Sequence, residues 1–116
     1  IGHAIERYMD FRLTHGECVA LGSVAAMEMS RLRGYISGEE VLEAEDIFSA
    51  YALPVHIDDI DADELIEITR SDKKMDKGHI RFILLKAVGD AVIDNTVSDE
   101  ELRAGIEYIS KGTGQP

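Results

Sequence analysis

The alternation of polar and apolar residues divides most of the chain into helical segments that open on the same local signal. A capping box pairs Ser, Thr or Asp with a Glu three residues later and satisfies two backbone N–H groups where a helix begins. Apolar residues at helical spacing follow each box, which predicts helices over about 15–33, 38–51, 62–70 and 99–109. The four boxes are Thr14 with Glu17, Ser37 with Glu40, Asp61 with Glu64, and Ser98 with Glu101.

The helix predicted over 15–33 is apolar on more than one side, so we expect it to be the central helix, buried on several sides. Gly22 inside it would allow a neighbouring helix to approach closely. The helix over 38–51 is expected to turn one apolar face to the core, and Leu53-Pro54 ends it. That face comprises Val41, Leu42, Ala44, Ile47, Phe48 and Tyr51.

The pattern changes after residue 70. The polar stretch 72–78 predicts a turn, and the branched and aromatic run 80–85 predicts a strand. Gly89-Asp90 breaks that run and a second short apolar run follows, so the segment indicates a β-hairpin. We therefore predict one domain over residues 1–111, a mainly α orthogonal helical array with one β-hairpin near the C-terminus, followed by a disordered tail over 112–116.

Composition narrows the class of protein. The 116 residues suffice for one compact domain with a modest core, and no apolar run approaches the roughly 20 residues that span a bilayer. A net charge of −11 argues against binding nucleic acid or an anionic membrane surface. Cys18 is the only cysteine, which excludes an internal disulfide and favours the cytoplasm. Because the chain opens on Ile1, we expect a C-terminal piece of a larger protein; a complete small protein with a processed start is the alternative.

Two polar motifs near the start carry the best candidate chemistry, Gly2-His3-Ala4-Ile5-Glu6 and His15-Gly16-Glu17. His3 and Glu6 lie one helical turn apart, close enough for the carboxylate to orient the ring. His15 lies in the first turn of the central helix, where backbone N–H groups favour anions, so a metal there would need carboxylate or thiolate partners. Two histidines without a third ligand are a weak metal pattern. Two surface histidines near a helix junction remain the alternative.

Three further residues admit a functional and a structural interpretation. Lys73 and Lys74 could clamp a phosphate, or they could be solvated lysines that offset the negative end of a helix. Cys18 lies one turn into a helix, where the dipole could lower its pKa, or it could be a small core residue. His56 and His79 stand alone in predicted loops, and we assign them no role.

Taken together, these motifs resemble the C-terminal domain of 3-dehydroquinate synthase, and the likeness covers nearly the whole chain. The resemblance implies an enzyme that converts 3-deoxy-D-arabino-heptulosonate 7-phosphate to 3-dehydroquinate and phosphate in the shikimate pathway, with tightly bound NAD and zinc (or cobalt). The features that carry it, in order, are Gly2-His3-Ala4-Ile5-Glu6, His15-Gly16-Glu17, Val19-Ala20, Gly22, Leu53-Pro54, Asp72-Lys73-Lys74 and the predicted hairpin with Val88-Gly89.

The resemblance also implies roles for individual residues. His15 corresponds to a zinc ligand, and His3 to a histidine that contacts the substrate near its phosphate. One of Lys73 and Lys74 corresponds to a substrate-binding lysine, so these two residues and His3 are the candidate catalytic and substrate-binding groups. Glu6 and Glu17 are interpreted as supporting groups. We expect the two imidazoles of the opening helices to converge on one pocket.

The chain also departs from the family pattern. The family's first motif histidine would precede Ile1, its third zinc ligand lies further upstream, and the NAD-binding domain has no counterpart. We therefore expect that this chain alone binds neither NAD nor zinc and is inactive. Its partners would be the missing N-terminal NAD-binding domain, a sugar phosphate substrate and, through an exposed cleft wall, a further copy of itself in a homo-oligomer.

Other classes of protein remain open on the sequence alone. One is a related sugar-phosphate cyclase, which shares the histidine motifs. Another is a domain of the iron-type alcohol and glycerol dehydrogenases, although the lysine pair and the hairpin favour the synthase. The third is a stand-alone helical interaction module in which His3 and His15 are merely structural.

Overall fold

The fold is mostly helical with one antiparallel hairpin near its end, which confirms the predicted fold class. The computed structural model describes residues 2–9, 12–58, 60–75, 82–87, 89–94 and 96–111, and of residues 3, 71–75, 82, 83, 93, 94 and 111 only the backbone. The predicted tail over 112–116 lies outside these residues. The elements in chain order are α1 (Gly2–Tyr8), α2 (His15–Leu32), α3 (Gly38–Ala50), α4 (Ala62–Met75), β1 (Phe82–Ala87), β2 (Asp90–Asp94) and α5 (Asp99–Lys111).

Local capping chemistry sets where three of the helices begin, as the sequence predicts. At α2 the Glu17 backbone N–H donates to Thr14 Oγ1 over 3.1 Å, and Glu17 Oε1 accepts from the Thr14 N–H over 2.8 Å. The boxes that open α3 and α5 have the same two bonds. Each box satisfies N–H groups that have no partner inside the helix, so these helix starts are determined locally.

The start of α4 differs from the other three. The Asp61 carboxylate accepts from the backbone N–H groups of Asp63 and Glu64, as predicted. The N–H of Asp61 itself, however, donates to the hydroxyl of Tyr8 on α1 over 3.1 Å. The acceptor for the Asp61 N–H, which the capping box predicts to be the Glu64 carboxylate, is thus supplied by Tyr8 of another helix. This bond connects α4 to α1.

The third predicted helix is longer than expected. α4 continues to Met75, so Asp72, Lys73 and Lys74 belong to its last turns, and the prediction of a polar turn beginning at Asp72 is wrong. Lysine and methionine are strong helix formers, so polarity alone does not end a helix there. α4 also packs on both α1 and α5. The remainder of the predicted turn, residues 76–78, lies outside the described residues.

α2 is the central helix, as predicted. It contacts α1, α3, α5 and β1, and buried side chains lie on several of its sides. These contacts remove apolar area from water, which is the main force holding the fold together. The principal core comprises Ala4, Ile5, Cys18, Leu21, Val24, Ala25, Met29, Leu65, Ile66, Leu84, Leu102, Ile106 and Ile109.

Two glycines allow other helices to approach the backbone of α2. A Cβ on Gly2 would lie 2.9 Å from the carbonyl oxygen of Cys18, and a Cβ on Gly105 would lie 3.0 Å from that of Ala25. A backbone oxygen cannot move aside as a flexible side chain can. α1 and α5 can therefore pack at these distances because both positions lack a side chain. The close approach predicted at Gly22 stays a prediction.

The outer side of α3 is exposed, contrary to expectation. Val41 is buried, but Leu42, Ile47 and Tyr51 are exposed, Tyr51 to 78 %. Their assignment to an inner face is therefore wrong. The physical reason is that α3 lies against the fold on one side only, where it packs on α2 and Glu45 accepts from the Tyr108 hydroxyl of α5, so one narrow stripe of the helix suffices for the contact.

Strand β1 extends to Ala87, two residues beyond the predicted end of the first strand, and its predicted start at Ile80 lies outside the described residues. Strands β1 and β2 pair antiparallel from Phe82 opposite Asp94 to Ala87 opposite Asp90, with an irregularity between Leu85 and Ala87. Gly89 has φ +88°, a backbone conformation that glycine adopts at little cost, and it makes the turn. The hydroxyl of Ser30 on α2 accepts the backbone N–H of Leu85 over 3.0 Å, which fastens β1 to the central helix.

Candidate functional site

The candidate site lies where α1 returns along the first turns of α2. Gly2, at the start of α1, approaches Cys18, whereas Glu6, one turn later on α1, reaches His15. As α1 advances, its contacts on α2 move backward, so the two helices run in opposite directions. Ala4 and Ile5 are buried and fix α1 to the core, which leaves Glu6 at the edge of the contact.

His15 and Glu6 form a close pair whose members differ sharply in exposure. His15 Nδ1 lies 2.6 Å from Glu6 Oε1, with the imidazole side chain 79 % exposed and the carboxylate side chain 14 % exposed. An ionised carboxylate can only accept hydrogen bonds, so Nδ1–H is the donor, and in the neutral ring Nε2 then carries the lone pair. Among the described residues nothing bonds to Nε2, so the ring presents this atom to solvent as a potential ligand.

Glu6 has a partner that the sequence did not predict. The sequence predicts that it orients His3, one turn away on α1, whereas its described contact is His15 on α2. The side chain of His3 lies outside the described residues, and its convergence with His15 on one pocket stays a prediction. The sequence signal that could have indicated this contact is Gly2 followed by the apolar pair Ala4-Ile5 and then Glu6, because a short helix that packs its apolar pair on a neighbour leaves the next carboxylate at the edge of the contact.

Glu17 supports the site through the backbone. Its carboxylate completes the capping box with Thr14 and so determines where α2 begins and where His15 stands. Together with Glu6 it places two carboxylates beside the positive end of α2. This is the compensation that a cation at His15 requires, because the helix dipole alone would repel it.

Cys18 behaves as a core residue. Its thiol is buried, and burial together with the charges of Glu6 and Glu17 raises its pKa above the ordinary value. A raised pKa disfavours the reactive thiolate. Of the two interpretations left open by the sequence, the structural one applies.

Lys73 and Lys74 lie in the last turns of α4, and their side chains are outside the described residues. Their helix packs on α1, which also carries His3 and Glu6, and α1 packs on α2. The elements that hold the candidate residues are thus neighbours. His56 pairs with Asp58 over 2.8 Å in a surface loop, and His79 lies outside the described residues.

The donor set fits a metal whose remaining ligands come from elsewhere. Within the described part of the chain, no three His, Cys, Asp or Glu side chains are grouped to hold a metal. A histidine that donates one ring N–H to a carboxylate and presents the other nitrogen outward is, however, the usual arrangement of a metal-binding imidazole. His15 with Glu6 has this arrangement, so the pair fits one corner of a zinc site.

The fold has a counterpart among solved structures. The chain superimposes with a TM-score of 0.80 on ValA, a 2-epi-5-epi-valiolone synthase from Streptomyces hygroscopicus subsp. jinggangensis 5008 with NAD+ and Zn2+ bound. The match covers 93 % of this chain and 31 % of ValA at 23 % sequence identity. This likeness defines the class of fold, a helical domain that forms part of a larger enzyme in ValA.

Sequence comparison then identifies the family. The family described as 3-dehydroquinate synthase C-terminal matches residues 1–75, and the chain belongs to it. The 3-dehydroquinate synthase of Dehalococcoides mccartyi strain CBDB1 is 36 % identical over 109 residues, which are 94 % of this chain and 30 % of that protein. The enzyme of Nitrobacter winogradskyi is 39 % identical over 113 residues, which cover 88 % of this chain and 30 % of that protein.

These comparisons confirm the resemblance stated from the motifs. The chain spans about 30 % of the length of the curated relatives it matches. Of the classes that the sequence left open, they favour the synthase. Among the helices of the described residues, none combines the length and the apolar character needed to cross a bilayer.

Proposed function

We propose that this chain is the C-terminal, metal- and substrate-binding part of a 3-dehydroquinate synthase. The reaction converts 3-deoxy-D-arabino-heptulosonate 7-phosphate to 3-dehydroquinate and phosphate, a carbon–oxygen lyase step of the shikimate pathway. The observation that supports the proposal most is the His15–Glu6 pair, in which a carboxylate holds Nδ1 and leaves Nε2 exposed, in a chain that belongs to this family.

In the proposed site, His15 would hold zinc through Nε2. Bound zinc would polarise the oxygen on the substrate carbon that exchanges a hydride with NAD. Glu6 fixes the ring from behind, and Glu17 fixes the start of the helix that carries it. The two carboxylates also offset the positive end of α2, so a cation next to His15 is not opposed by the helix dipole.

His3 and one of Lys73 and Lys74 would bind the phosphorylated end of the substrate. A phosphate carries close to two negative charges near neutral pH, and a lysine ammonium is a compact opposite charge. The packing of α1 on α4 places the helix of His3 beside the helix of the lysines, which supports a shared role. Which lysine contacts the phosphate is decided by comparing Lys73→Met with Lys74→Met for their effect on KM.

The other zinc ligands and the NAD site would lie in the part of the enzyme that corresponds to the remaining length of the relatives. We infer that the present 116 residues alone bind neither NAD nor zinc measurably and have no turnover. We infer as well that the complete enzyme acts in the cytoplasm and forms a homo-oligomer. Light scattering of the complete enzyme measures the last point, and a monomer at high concentration would contradict it.

The decisive experiment uses the full-length enzyme that contains this chain. Phosphate release and 3-dehydroquinate formation are measured with NAD and zinc, together with the zinc content of the purified protein. His15→Ala is expected to reduce both zinc content and turnover by more than about 100-fold, because removing a ligand costs more than removing its supporting group. The control is His56→Ala, which removes an imidazole that pairs with Asp58 in a surface loop. Full zinc content and full turnover in His15→Ala would contradict the proposal.

The second measurement concerns the isolated 116-residue chain. We expect no 3-dehydroquinate from it under the same conditions. Turnover by this chain with NAD and zinc would show that the remaining ligands and the cofactor site do not lie elsewhere.

A further inference from the structure

We propose that Glu6 is the positioning residue of His15, and that the close packing of Gly2 on the Cys18 backbone is the structural device that keeps it in place. Glu6 would act through His15 and touch neither substrate nor metal. That the ring so positioned is a metal ligand rests on the proposed function. That the ring is held in one orientation and one tautomer rests on the contacts of α1 with α2 alone.

The first step is the contact itself. At 2.6 Å the bond between His15 Nδ1 and Glu6 Oε1 is at the short end for a hydrogen bond assisted by charge. A carboxylate accepts and cannot donate, so this bond selects the Nδ1–H tautomer of the neutral ring. The lone pair then resides on Nε2, which faces solvent. In the opposite tautomer, a carboxylate would face the Nδ1 lone pair, which is unfavourable.

The second step is the contrast in exposure. The Glu6 side chain is 14 % exposed, whereas that of His15 is 79 % exposed. The neighbours of Glu6 on α1, Ala4 and Ile5, are buried in the core. The carboxylate is thus held by a packed helix, and the imidazole, which has almost no packing of its own, depends on Glu6 for its orientation.

The third step explains how Glu6 comes within reach. α1 has only seven residues, so its position on α2 depends on a few contacts. At Gly2 the two backbones are so close that a Cβ would lie 2.9 Å from the Cys18 carbonyl oxygen and 3.3 Å from its carbonyl carbon. Glu6 lies one turn along α1, and His15 lies one turn back along α2. A displacement at Gly2 therefore moves the carboxylate relative to the ring.

The chain also contains a matched control for Glu6. Glu17 lies two residues from His15, and its charge, like that of Glu6, raises the pKa of the Cys18 thiol. Both carboxylates therefore lie near the Cys18 thiol. Only Glu6 contacts the imidazole, however, because Glu17 bonds to the Thr14 backbone. Comparing the two separates a specific bond from a general effect of negative charge.

The test reads the tautomer of His15 directly. Long-range 1H–15N correlation spectra of the 15N-labelled 116-residue chain are recorded without metal at about pH 8, where an ordinary imidazole is neutral. We expect His15 to be mostly the Nδ1–H tautomer in the wild type and to shift to the Nε2–H tautomer in Glu6→Ala. Glu6→Gln, which keeps the volume, should shift in the same direction but less, because a neutral acceptor bonds about half as strongly.

Glu17→Gln keeps the capping box, since glutamine serves equally at that position, and should leave the tautomer at the wild-type ratio. An unchanged tautomer in both Glu6 variants would overturn the positioning role. An equal shift in Glu17→Gln would overturn it as well, since charge alone would then account for the effect.

The packing device is tested with two Gly→Ala variants. Gly2→Ala removes no polar group, yet it should shift the His15 tautomer in the same direction as Glu6→Ala. Gly16→Ala is next to His15 in sequence, but its Cβ would meet nothing within 4 Å, so it should leave the tautomer unchanged. A wild-type tautomer in folded Gly2→Ala would show that the close approach does not position Glu6.

A second readout connects this inference with the proposed function. In the full-length enzyme, Glu6→Gln should weaken zinc binding by about 10–100-fold, the usual effect of removing the carboxylate behind a ligating histidine, whereas Glu17→Gln, which removes a nearby charge but no bond to the ring, should weaken it much less. Unchanged zinc affinity in Glu6→Gln would overturn the part of the inference that concerns the metal. If His15→Ala leaves zinc bound, the proposed function fails. The tautomer data from the metal-free chain still decide the positioning role, so the two failures are distinguishable.

Discussion

The two ends of α2 each carry an ionisable pair with the same 2.6 Å contact, yet the pairs serve different purposes. At the N-terminal end, Glu6 holds a His15 side chain that is 79 % exposed. At the C-terminal end, Arg33 and Glu101 are 16 % and 28 % exposed. Distance alone therefore does not reveal the role of an ion pair. The exposure of its partners does, because an exposed partner gives little stability and keeps an atom available for a ligand.

The C-terminal pair is built for stability. The Arg33 guanidinium donates through Nε and Nη2 to the two oxygens of Glu101, at 2.6 and 3.0 Å, and also to the hydroxyl of Thr96. This two-point contact joins α2 to the start of α5. It also holds the pKa of Glu101 at about 2, well below its ordinary value.

The largest effect is expected from breaking the C-terminal pair. Arg33→Ala should lower the free energy of unfolding by about 2–3 kcal/mol, because it leaves a half-buried carboxylate without its partner. Urea denaturation of the 116-residue chain measures this. Arg12→Ala, which removes an exposed arginine bound to a backbone carbonyl, should change stability little. A loss no greater for Arg33→Ala than for Arg12→Ala would show that the two ends of α2 do not differ as described.

The Arg33–Glu101 pair should also make the free energy of unfolding depend on pH. Because folding lowers the pKa of Glu101 from 4.5 to about 2, the unfolded chain binds more protons at this group between those values. The contribution is therefore complete above about pH 4.5 and is lost as the pH falls toward 2. We expect about 2 kcal/mol after allowing for solvent screening.

Unfolding curves between pH 2 and 6 test this second prediction. Glu101→Gln should flatten the acid loss, whereas Glu100→Gln, one residue earlier and exposed, should retain it. A wild-type acid dependence in Glu101→Gln would assign the effect to another group.

The third prediction compares a glycine at each end of α2. A Cβ would meet nothing within 4 Å at either Gly16 or Gly34, but only Gly34 has a positive φ, +81°. Gly34 follows Arg33, the C-cap of α2, and the N–H groups of Gly34 and Tyr35 donate to the carbonyl oxygens of Arg31 and Ser30. Gly34→Ala should therefore cost about 1 kcal/mol, whereas Gly16→Ala should gain about 0.5 kcal/mol. Thermal and urea unfolding of both variants measure this difference. A change in the free energy of unfolding with the same sign in both variants would contradict the prediction.

The smallest effect on stability is expected at the N-terminal pair. His15→Ala should change the free energy of unfolding of the 116-residue chain by less than about 0.5 kcal/mol, because the imidazole is 79 % exposed and water can take the place of its single bond to Glu6, whereas water cannot readily replace the largely buried guanidinium of Arg33. The same substitution should reduce the zinc content of the full-length enzyme by more than about 100-fold, as proposed above. Destabilisation as large as that of Arg33→Ala would indicate that His15 is a structural residue, and the contrast between the two ends of α2 would disappear.

Much of the fold could be predicted because its signals are local. The capping boxes at Thr14, Ser37 and Ser98 involve residues three apart, and the helices begin where those boxes predict. Burial of α3 could not be predicted, because Leu42 and Tyr51 fit a helix equally well whether or not another element covers them. The length of α4 could not be predicted from polarity, because polar residues such as Lys73 and Lys74 are good helix formers and lie within the helix, which continues to Met75.

The candidate site, like the fold, has features that the sequence determines locally and features that depend on tertiary packing. Sequence alone determined the residue types, the starts of the helices that carry them and the family that their motifs resemble, because these depend on neighbours along the chain. Only the tertiary structure decided that Glu6 meets His15, nine residues away, and that Gly2 brings their helices together. Such a contact requires two helices to pack in a particular direction and at a particular distance, and no periodicity within either helix contains that information.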